Sequence, residues 1–277
     1  MKRISRKALL TAVCVTCCAL TIGATAPPKR ARAIVYPEWQ LVLGGTVNGQ
    51  WREYYHVGPL LRGGERYRLY TLAKCLGAAV GSKPSVKEGE GRDGDYELDL
   101  TPLPKTKDDV IAIGGEWNAL PRVPKIDPTD QRAYRDVVAS FLRAKGIRKP
   151  EVRITQVLRV DLEGDGAEEV LISATRVGPN EIYFPPKVGA YSTVIVRKLV
   201  RGRARTVELE GSYGIAPPAE DAWPSTEIVK VGFVLDLNGD GVMEVLVHYE
   251  YYEGEGFAAY AVQGVKAKEL FRQGIGQ

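Results

Sequence analysis

Two acidic segments of the chain combine side chains whose types and spacing suit the binding of a metal ion. Their sequences are DLEGDGAEEVLI at residues 161–172 and DLNGDGVMEVLV at residues 236–247. Each has aspartate at position 1, Gly-Asp-Gly at positions 4 to 6 and glutamate at position 9, and position 3 also carries a side-chain oxygen. Calcium is a hard cation that takes about six to eight oxygen ligands, many of them carboxylates. The two segments therefore predict two calcium (Ca²⁺) sites.

The predicted ligands follow from the way in which such a loop curls. Gly166 and Gly241, at position 6, allow a tight turn that brings the oxygens of positions 1, 3 and 5 together. A backbone carbonyl at position 7 and the glutamate at position 9 complete the set. The ligands are then Asp161, Glu163, Asp165, Ala167 (carbonyl) and Glu169 in the first loop, and Asp236, Asn238, Asp240, Val242 (carbonyl) and Glu244 in the second. The alternative is a pair of acidic hairpin turns, but agreement at seven of the first ten positions favours calcium.

The pattern differs from an EF-hand, which needs a glutamate at position 12 and flanking helices. Position 12 is Ile172 or Val247, inside β-rich segments, and a dockerin is excluded on the same grounds. A closing acid at position 9 between two strands resembles the FG-GAP or VCBS-type repeat family, the calcium-loop repeats of integrin-α-like β-propellers. The resemblance implies structural ions in loops that join the first two strands of four-stranded blades. That family most often has Asp or Asn at position 3 and Asp at position 9, so Glu163 and both position-9 glutamates depart from its pattern.

The segments around the loops indicate a mainly β fold. Residues 147–277 predict two propeller-like units of four strands, each opened by one loop, and the family resemblance covers only this C-terminal half. Residues 34–126 predict a β-rich N-terminal region without such a loop. That region contains a hairpin with an Asn48-Gly49 turn, whose second strand is expected to run to Val57. It also contains a charged, Gly-rich segment at 81–94, which predicts a mobile loop.

An amphipathic helix is predicted near residues 128–145, within a connecting segment at 127–146. Asp127 suits the N-cap, Pro128 suits the first helical position, and Gly146 suits the end of the helix. Apolar residues recur at spacings that place them on one face, namely Tyr134, Val137, Val138, Phe141 and Leu142. This stripe indicates that the helix packs against a sheet.

Residues 1–33 have the layout of a secretory signal peptide, with a basic start, an uncharged stretch and a small-x-small cleavage site that ends at Ala33. Cleavage after Ala26 is an alternative that would leave Pro27 at the first mature position, and an uncleaved anchor is another. Of the 38 basic residues, seven lie in this segment, which leaves 31 against 34 acidic residues, a net charge of −3. The sequence therefore predicts a secreted protein and argues against a nucleic-acid or membrane partner.

Few residues of the mature chain suggest catalysis. Neither His56 nor His248 lies in a metal-spaced pair, and the chain contains no HExxH or GxSxG motif. Cys75 is left without a disulfide partner, because the other three cysteines leave with the signal peptide. Cys75 and His56 could form a nucleophile pair only if the fold brought them together.

The sequence therefore predicts a calcium-stabilised module that binds an extracellular protein or glycan. Aromatic residues could form the binding platform, namely Trp39, Trp51, Trp117, Trp223, Tyr249, Tyr251 and Tyr252, although aromatic residues of strands lie more often in the core. The alternative is a secreted hydrolase of an extracellular polymer on the same calcium-stabilised scaffold. A hydrolase would need close carboxylates or a histidine-centred cluster in a cleft.

Overall fold

Antiparallel strands make up most of the computed structural model, which describes residues 30–87, 94–224 and 226–276. They form three sheets of nine, five and four strands. The predicted mainly β class is confirmed. Among the helices of the described residues, none combines the length and the apolar character that crossing a membrane requires.

The nine-stranded sheet forms the N-terminal half. Its strands are β1 (Ala31–Tyr36), β2 (Leu41–Val47), β3 (Gln50–Glu53), β4 (Arg66–Tyr70), β5 (Cys75–Gly81), β6 (Ser85–Lys87), β7 (Asp95–Glu97), β8 (Leu100–Thr101) and β9 (Ile111–Gly114). The spatial order is β6-β7-β2-β1-β9-β4-β5-β8, and β3 pairs with β2. The predicted β2–β3 hairpin is present, and Asn48 (φ 53°) and Gly49 (φ 77°) form its turn.

Two expectations for this half need correction. The second strand of the hairpin ends at Glu53, because the next four residues form a short helix, α1 (Tyr54–Val57). The segment expected to be a mobile loop at 81–94 instead contributes the end of β5 and all of β6, and β6 pairs with β7. Residues 88–93 of that segment lie outside the described residues.

Strand β1 bears on the predicted signal peptide. Residues 1–29, which hold most of that segment, lie outside the described residues, but β1 begins at Ala31. It lies between β2 and β9 in the middle of its sheet, and Ala33 is buried there, opposite Gly45. A cut after Ala33 removes half of this central strand, whereas a cut after Ala26 leaves it whole.

Of the two predicted cleavage points, we therefore expect cleavage after Ala26, which leaves Pro27 as the first residue, rather than after Ala33. The physical reason is that residues 31–33 supply half of the pairs between β1 and β2, which a folded product must retain. Intact-mass spectrometry of the secreted protein, with the uncleaved precursor as the mass control, measures this directly. A product that begins at Ile34 and melts cooperatively would contradict the expectation.

The C-terminal half forms the other two sheets. The five-stranded sheet contains β10 (Lys125–Ile126), β11 (Ile154–Val160), β12 (Glu169–Thr175), β13 (Tyr191–Val200) and β14 (Arg203–Tyr213), in that order. The four-stranded sheet contains β15 (Ile228–Leu235), β16 (Glu244–Tyr251), β17 (Gly254–Gln263) and β18 (Lys266–Gly276), also in order. Each of the two predicted units is thus four consecutive antiparallel strands, and an acidic segment joins the first two strands of each.

The predicted helix is present as α2 (Arg132–Ala144), but it begins four residues later than expected. Asp127 does not cap it. The backbone N–H of Asp127 donates to Val157, and its carboxylate accepts from the Tyr134 hydroxyl and pairs with Arg159. The residue therefore extends the edge of the five-stranded sheet beside β10. As expected, the buried face of α2, with Val138 and Leu142, packs against that sheet.

One hydrophobic core joins the three sheets. Fully buried side chains from each sheet belong to the same cluster, for example Leu43 on β2, Val196 on β13 and Phe233 on β15. Burying a side chain of this size stabilises the fold by about 1.5–3 kcal/mol. The shared core fixes the relative positions of the two acidic loops.

Candidate functional site

Asp161, at position 1 of the first acidic loop, organises the backbone of that loop. Its carboxylate accepts hydrogen bonds from the backbone N–H groups of Gly164 (2.6 Å), Asp165 (3.2 Å) and Gly166 (2.9 Å). Gly164 and Gly166 have φ angles of 74° and 88°, which a residue with a side chain rarely adopts. The glycines at positions 4 and 6 are therefore what allow the loop to close around its first aspartate.

The second loop has the same arrangement. The carboxylate of Asp236 accepts from the backbone N–H groups of Gly239 (2.7 Å), Asp240 (3.2 Å) and Gly241 (3.0 Å). Each distance agrees with its counterpart in the first loop to within 0.1 Å. The repeat recognised in the sequence is thus also a repeat of conformation.

The glutamates at position 9 close both loops from the start of the following strand. Glu169 accepts from the backbone N–H of Leu162, and Glu244 accepts from that of Leu237, both at 2.9 Å. The two glutamates are only 2% and 3% exposed. Buried carboxylates are costly unless hydrogen bonds and a cation compensate for their charge.

Among the remaining predicted ligands, the side chain at position 5 has the same partner in both loops and the side chain at position 3 does not. At position 5, Asp165 and Asp240 accept from the N–H groups of residues 167 and 242, at 2.9 Å and 2.8 Å. At position 3, the amide of Asn238 donates to the Asp240 carboxylate, whereas the carboxylate of Glu163 accepts from Lys198. The carboxylates at positions 1, 5 and 9 are thus bonded to backbone N–H groups of their own loop in both copies, whereas position 3 is used differently.

Burial and local charge set the acidity of these groups. Burial, reinforced by the negative charges of Asp240 and Asp236 and opposed by the hydrogen bond from Leu237, raises the pKa of Glu244 to about 8. Burial also raises the pKa of Asp236 and of Glu169. For Asp161 burial acts in the same direction, but the three N–H donors outweigh it and the pKa falls. The second loop thus holds the less compensated negative charge.

The segment between β9 and β10 holds both loops, which the sequence did not indicate. The Trp117 indole N–H donates to the carbonyl of Asp236 at 2.7 Å. Arg122 donates to the carbonyls of Asp161 and Leu162, and also to that of Gly241 at 2.7 Å. The backbone carbonyl at position 1 thus accepts a hydrogen bond from Arg122 in the first loop and from Trp117 in the second. Arg122 also contacts the second loop and so joins the two.

Arg32 completes this contact from β1. Its guanidinium lies over the Trp117 ring, 4.9 Å from the centroid, and donates to the carbonyl of Asn238 at 3.1 Å. The loops also contact each other directly, because the N–H of Met243 donates to the carbonyl of Leu162 at 2.8 Å. The two loops and the segment at 115–122 form one connected unit.

The donor set of each loop fits calcium, since it consists of carboxylate, amide and carbonyl oxygens. In the conformation described, these carboxylates are engaged with backbone N–H groups. Among the described residues, no three histidine, cysteine, aspartate or glutamate side chains converge closely enough to hold a metal ion. In each loop the carboxylate at position 1, the side chain at position 3, the carboxylates at positions 5 and 9, and the carbonyl at position 7 would hold the ion.

The other residues singled out from the sequence do not form one site. The side chain of Cys75 contacts Arg68 and the carbonyl of Gly77, whereas the ring of His56 packs against Tyr55. The tryptophans are also separate, because Trp39 packs on Tyr36 and Phe257, Trp51 packs on Phe271, and Trp223 is 76% exposed. The four tryptophans therefore do not form a common platform, and Trp39, Trp51 and Trp117 pack against the core, as is more common for aromatic residues of strands.

Tyr251 and Tyr252, by contrast, line a shallow groove of about 570 Å³. Tyr183, from the β12–β13 connection, lines it as well, together with Glu253 and Glu255. Glu255 also hydrogen-bonds His248 at 2.9 Å. Aromatic faces and acidic acceptors therefore meet at one surface of the four-stranded sheet. No family model, curated protein or solved structure matches the chain, so the argument for function rests on this groove and on the paired loops.

Proposed function

We propose that the chain is a secreted binding module built from FG-GAP/VCBS-like repeats, in which calcium bound by the acidic loops stabilises a propeller-like fold. The observation that carries the proposal is the common conformation of the two loops, whose hydrogen bonds to Asp161 and Asp236 agree to within 0.1 Å. Their position between the first two strands of each four-strand unit supports the family resemblance. The packing of three sheets around one core supports the propeller-like arrangement.

Calcium in this proposal is structural. The ion supplies positive charge to carboxylates that the fold has buried, and it takes no part in a reaction. Extracellular calcium modules bind at about 10⁻⁴ to 10⁻³ M, which suits an exported chain. Because Arg122 joins the loops, an ion at either loop also stabilises the junction between the two C-terminal sheets.

The groove beside Tyr251 and Tyr252 is the proposed binding surface, and its chemistry favours a glycan. Tyrosine rings offer flat apolar faces on which a sugar ring can lie, and they bury large areas at low entropic cost. Glu253 and Glu255 offer acceptors for sugar hydroxyl groups. The lining combines tyrosine rings with glutamate carboxylates, so one surface can stack on a sugar ring and also bond its hydroxyl groups. A protein partner is the other candidate for the same surface.

We expect Tyr252→Ala to weaken glycan binding by at least about tenfold, which corresponds to about 1.4 kcal/mol. The expected cause is the loss of one stacking face from the groove. A panel of immobilised polysaccharides identifies the ligand, and titration of the calcium-loaded protein gives the affinity. Trp223→Ala is the matched control, since Trp223 is an exposed aromatic residue that does not line the groove. Loss of binding in the control but not in Tyr252→Ala would place the surface elsewhere.

The hydrolase remains a second candidate because of the contact between His248 and Glu255. Burial, together with the charge of Lys230, lowers the pKa of His248 against the opposing effect of Glu255, which favours the neutral ring that can accept a proton. The same polysaccharide panel tests this reading. Release of reducing ends that disappears in Glu255→Gln would favour the hydrolase over the binding module.

A further inference from the structure

The two loops differ at one position on the strand that pairs with the end of each loop. In the five-stranded sheet Val170 lies opposite Arg197. One residue further along each antiparallel strand, Lys198 on β13 therefore lies opposite Glu169 on β12. In the four-stranded sheet Val245 lies opposite Tyr260. One residue further along these two strands, Ala261 on β17 therefore lies opposite Glu244 on β16.

Lys198 fills the place of a cation in the first loop. Its Nζ lies 2.8 Å from an oxygen of Glu163 and 3.9 Å from an oxygen of Glu169, and its side chain is only 2% exposed. These two carboxylates are the position-3 and position-9 groups that the loop would offer to an ion. A buried ammonium is stable only when it is paired in this way. The pairing also gives a reason for the unusual glutamate at position 3, since the contact with Lys198 is made by its carboxylate.

The second loop contains no equivalent ammonium at that place. Ala261 carries no charge, and Asn238 at position 3 bonds Asp240. The guanidinium groups of Arg32 and Arg122 donate to backbone carbonyls of this loop. The buried carboxylate of Glu244 therefore lies beside Asp236 and Asp240, and like charges in one turn repel each other without a cation.

We propose that Lys198 takes the place of the ion in the first loop, so that the chain binds one calcium ion, in the second loop. The inference rests on the proposed calcium function and restricts it to one site. A calcium ion among the oxygens of the first loop would lie next to the Lys198 ammonium and be repelled by it. The first loop is thus stable without calcium, whereas the second depends on it.

Calcium binding to the full mature chain tests this, by equilibrium dialysis up to about 10 mM calcium. We expect one ion for the wild type, two for Lys198→Ala and one for Lys74→Ala, an exposed lysine of the N-terminal half that serves as the matched control. We expect no bound ion for Ala261→Lys, which places an ammonium beside Glu244. If Lys198→Ala does not fold, Ala261→Lys decides the question.

The outcomes separate the two proposals. Two ions on the wild type, no second ion on folded Lys198→Ala, or an ion retained by Ala261→Lys would overturn the role of Lys198. No ion on any variant would overturn the calcium function itself. Thermal melts in chelator then test Lys198 independently. We expect Lys198→Ala to lower the melting temperature in chelator by roughly 5–10 °C. An unchanged melting temperature would overturn the role of Lys198, whatever the calcium measurements show.

Discussion

Replacing Asp236 with alanine is expected to abolish the calcium-dependent rise in melting temperature and to destabilise the calcium-free protein by about 3–5 kcal/mol. Asp236 accepts from the backbone N–H groups of Gly239, Asp240 and Gly241, and the substitution leaves these three donors without their acceptor. Each donor left unpaired costs about 1–3 kcal/mol, and the lower half of that range suits donors near the surface. The variant should therefore melt roughly 6–15 °C lower in chelator.

Melts of the wild type with and without calcium give the reference. Calcium at 100 times its dissociation constant stabilises a one-site protein by about 2.7 kcal/mol, and Asp236→Ala should lose this increment. Asp161→Ala is the matched variant, because it removes the same three kinds of hydrogen bond from the first loop. It should lower the melting temperature while keeping the calcium increment. If Asp161→Ala lost the calcium-dependent stabilisation and Asp236→Ala kept it, the ion would lie in the first loop.

Arg122→Ala is expected to reduce the free energy of unfolding by about 3 kcal/mol. The guanidinium donates to the carbonyls of Asp161, Leu162 and Gly241, so one side chain holds both loops against the segment that follows β9. Hydrogen bonds from a charged donor are worth about 1.5–3 kcal/mol each. The total is smaller than their sum because the contact with Gly241 is exposed to water. Urea unfolding of the wild type and the variant measures the difference.

Two further variants define what Arg122 contributes. Arg122→Lys should recover little of the loss, because an ammonium lacks the planar fork that reaches several carbonyls at once. Arg148→Ala removes an exposed arginine just after α2 and should change stability by less than about 0.5 kcal/mol. Full recovery in Arg122→Lys would mean that positive charge alone is sufficient at this place.

The C-terminal half could be predicted in detail because its signals are local. Strands such as β13 contain runs of β-branched residues (TVIV at 193–196), and the acidic loops recur with the same spacing. The glycines at positions 4 and 6 have the positive φ angles that a closed loop needs. Strand β5 was harder to predict, because its sequence CLGAAVG consists largely of small residues that give little β signal.

The contacts that hold the loops could not be predicted, because they depend on packing between distant parts of the chain. Trp117 and Arg122 each contact a loop residue 119 positions away, and no short pattern marks either of them. The helix start was misplaced for a similar reason, since pairing with Val157 takes Asp127 away from the cap. Lys198 becomes informative only once the register between β12 and β13 is known.

The contact between Arg32 and Asn238 also constrains when the protein can fold. The two residues are 206 positions apart in sequence, and β1 lies at the centre of its sheet. Contacts of such long range slow folding, since the chain must close a large loop before they form. Strand β1 can pair with β2 and β9 early, but Arg32 cannot contact the second acidic loop until the ribosome has made most of the polypeptide.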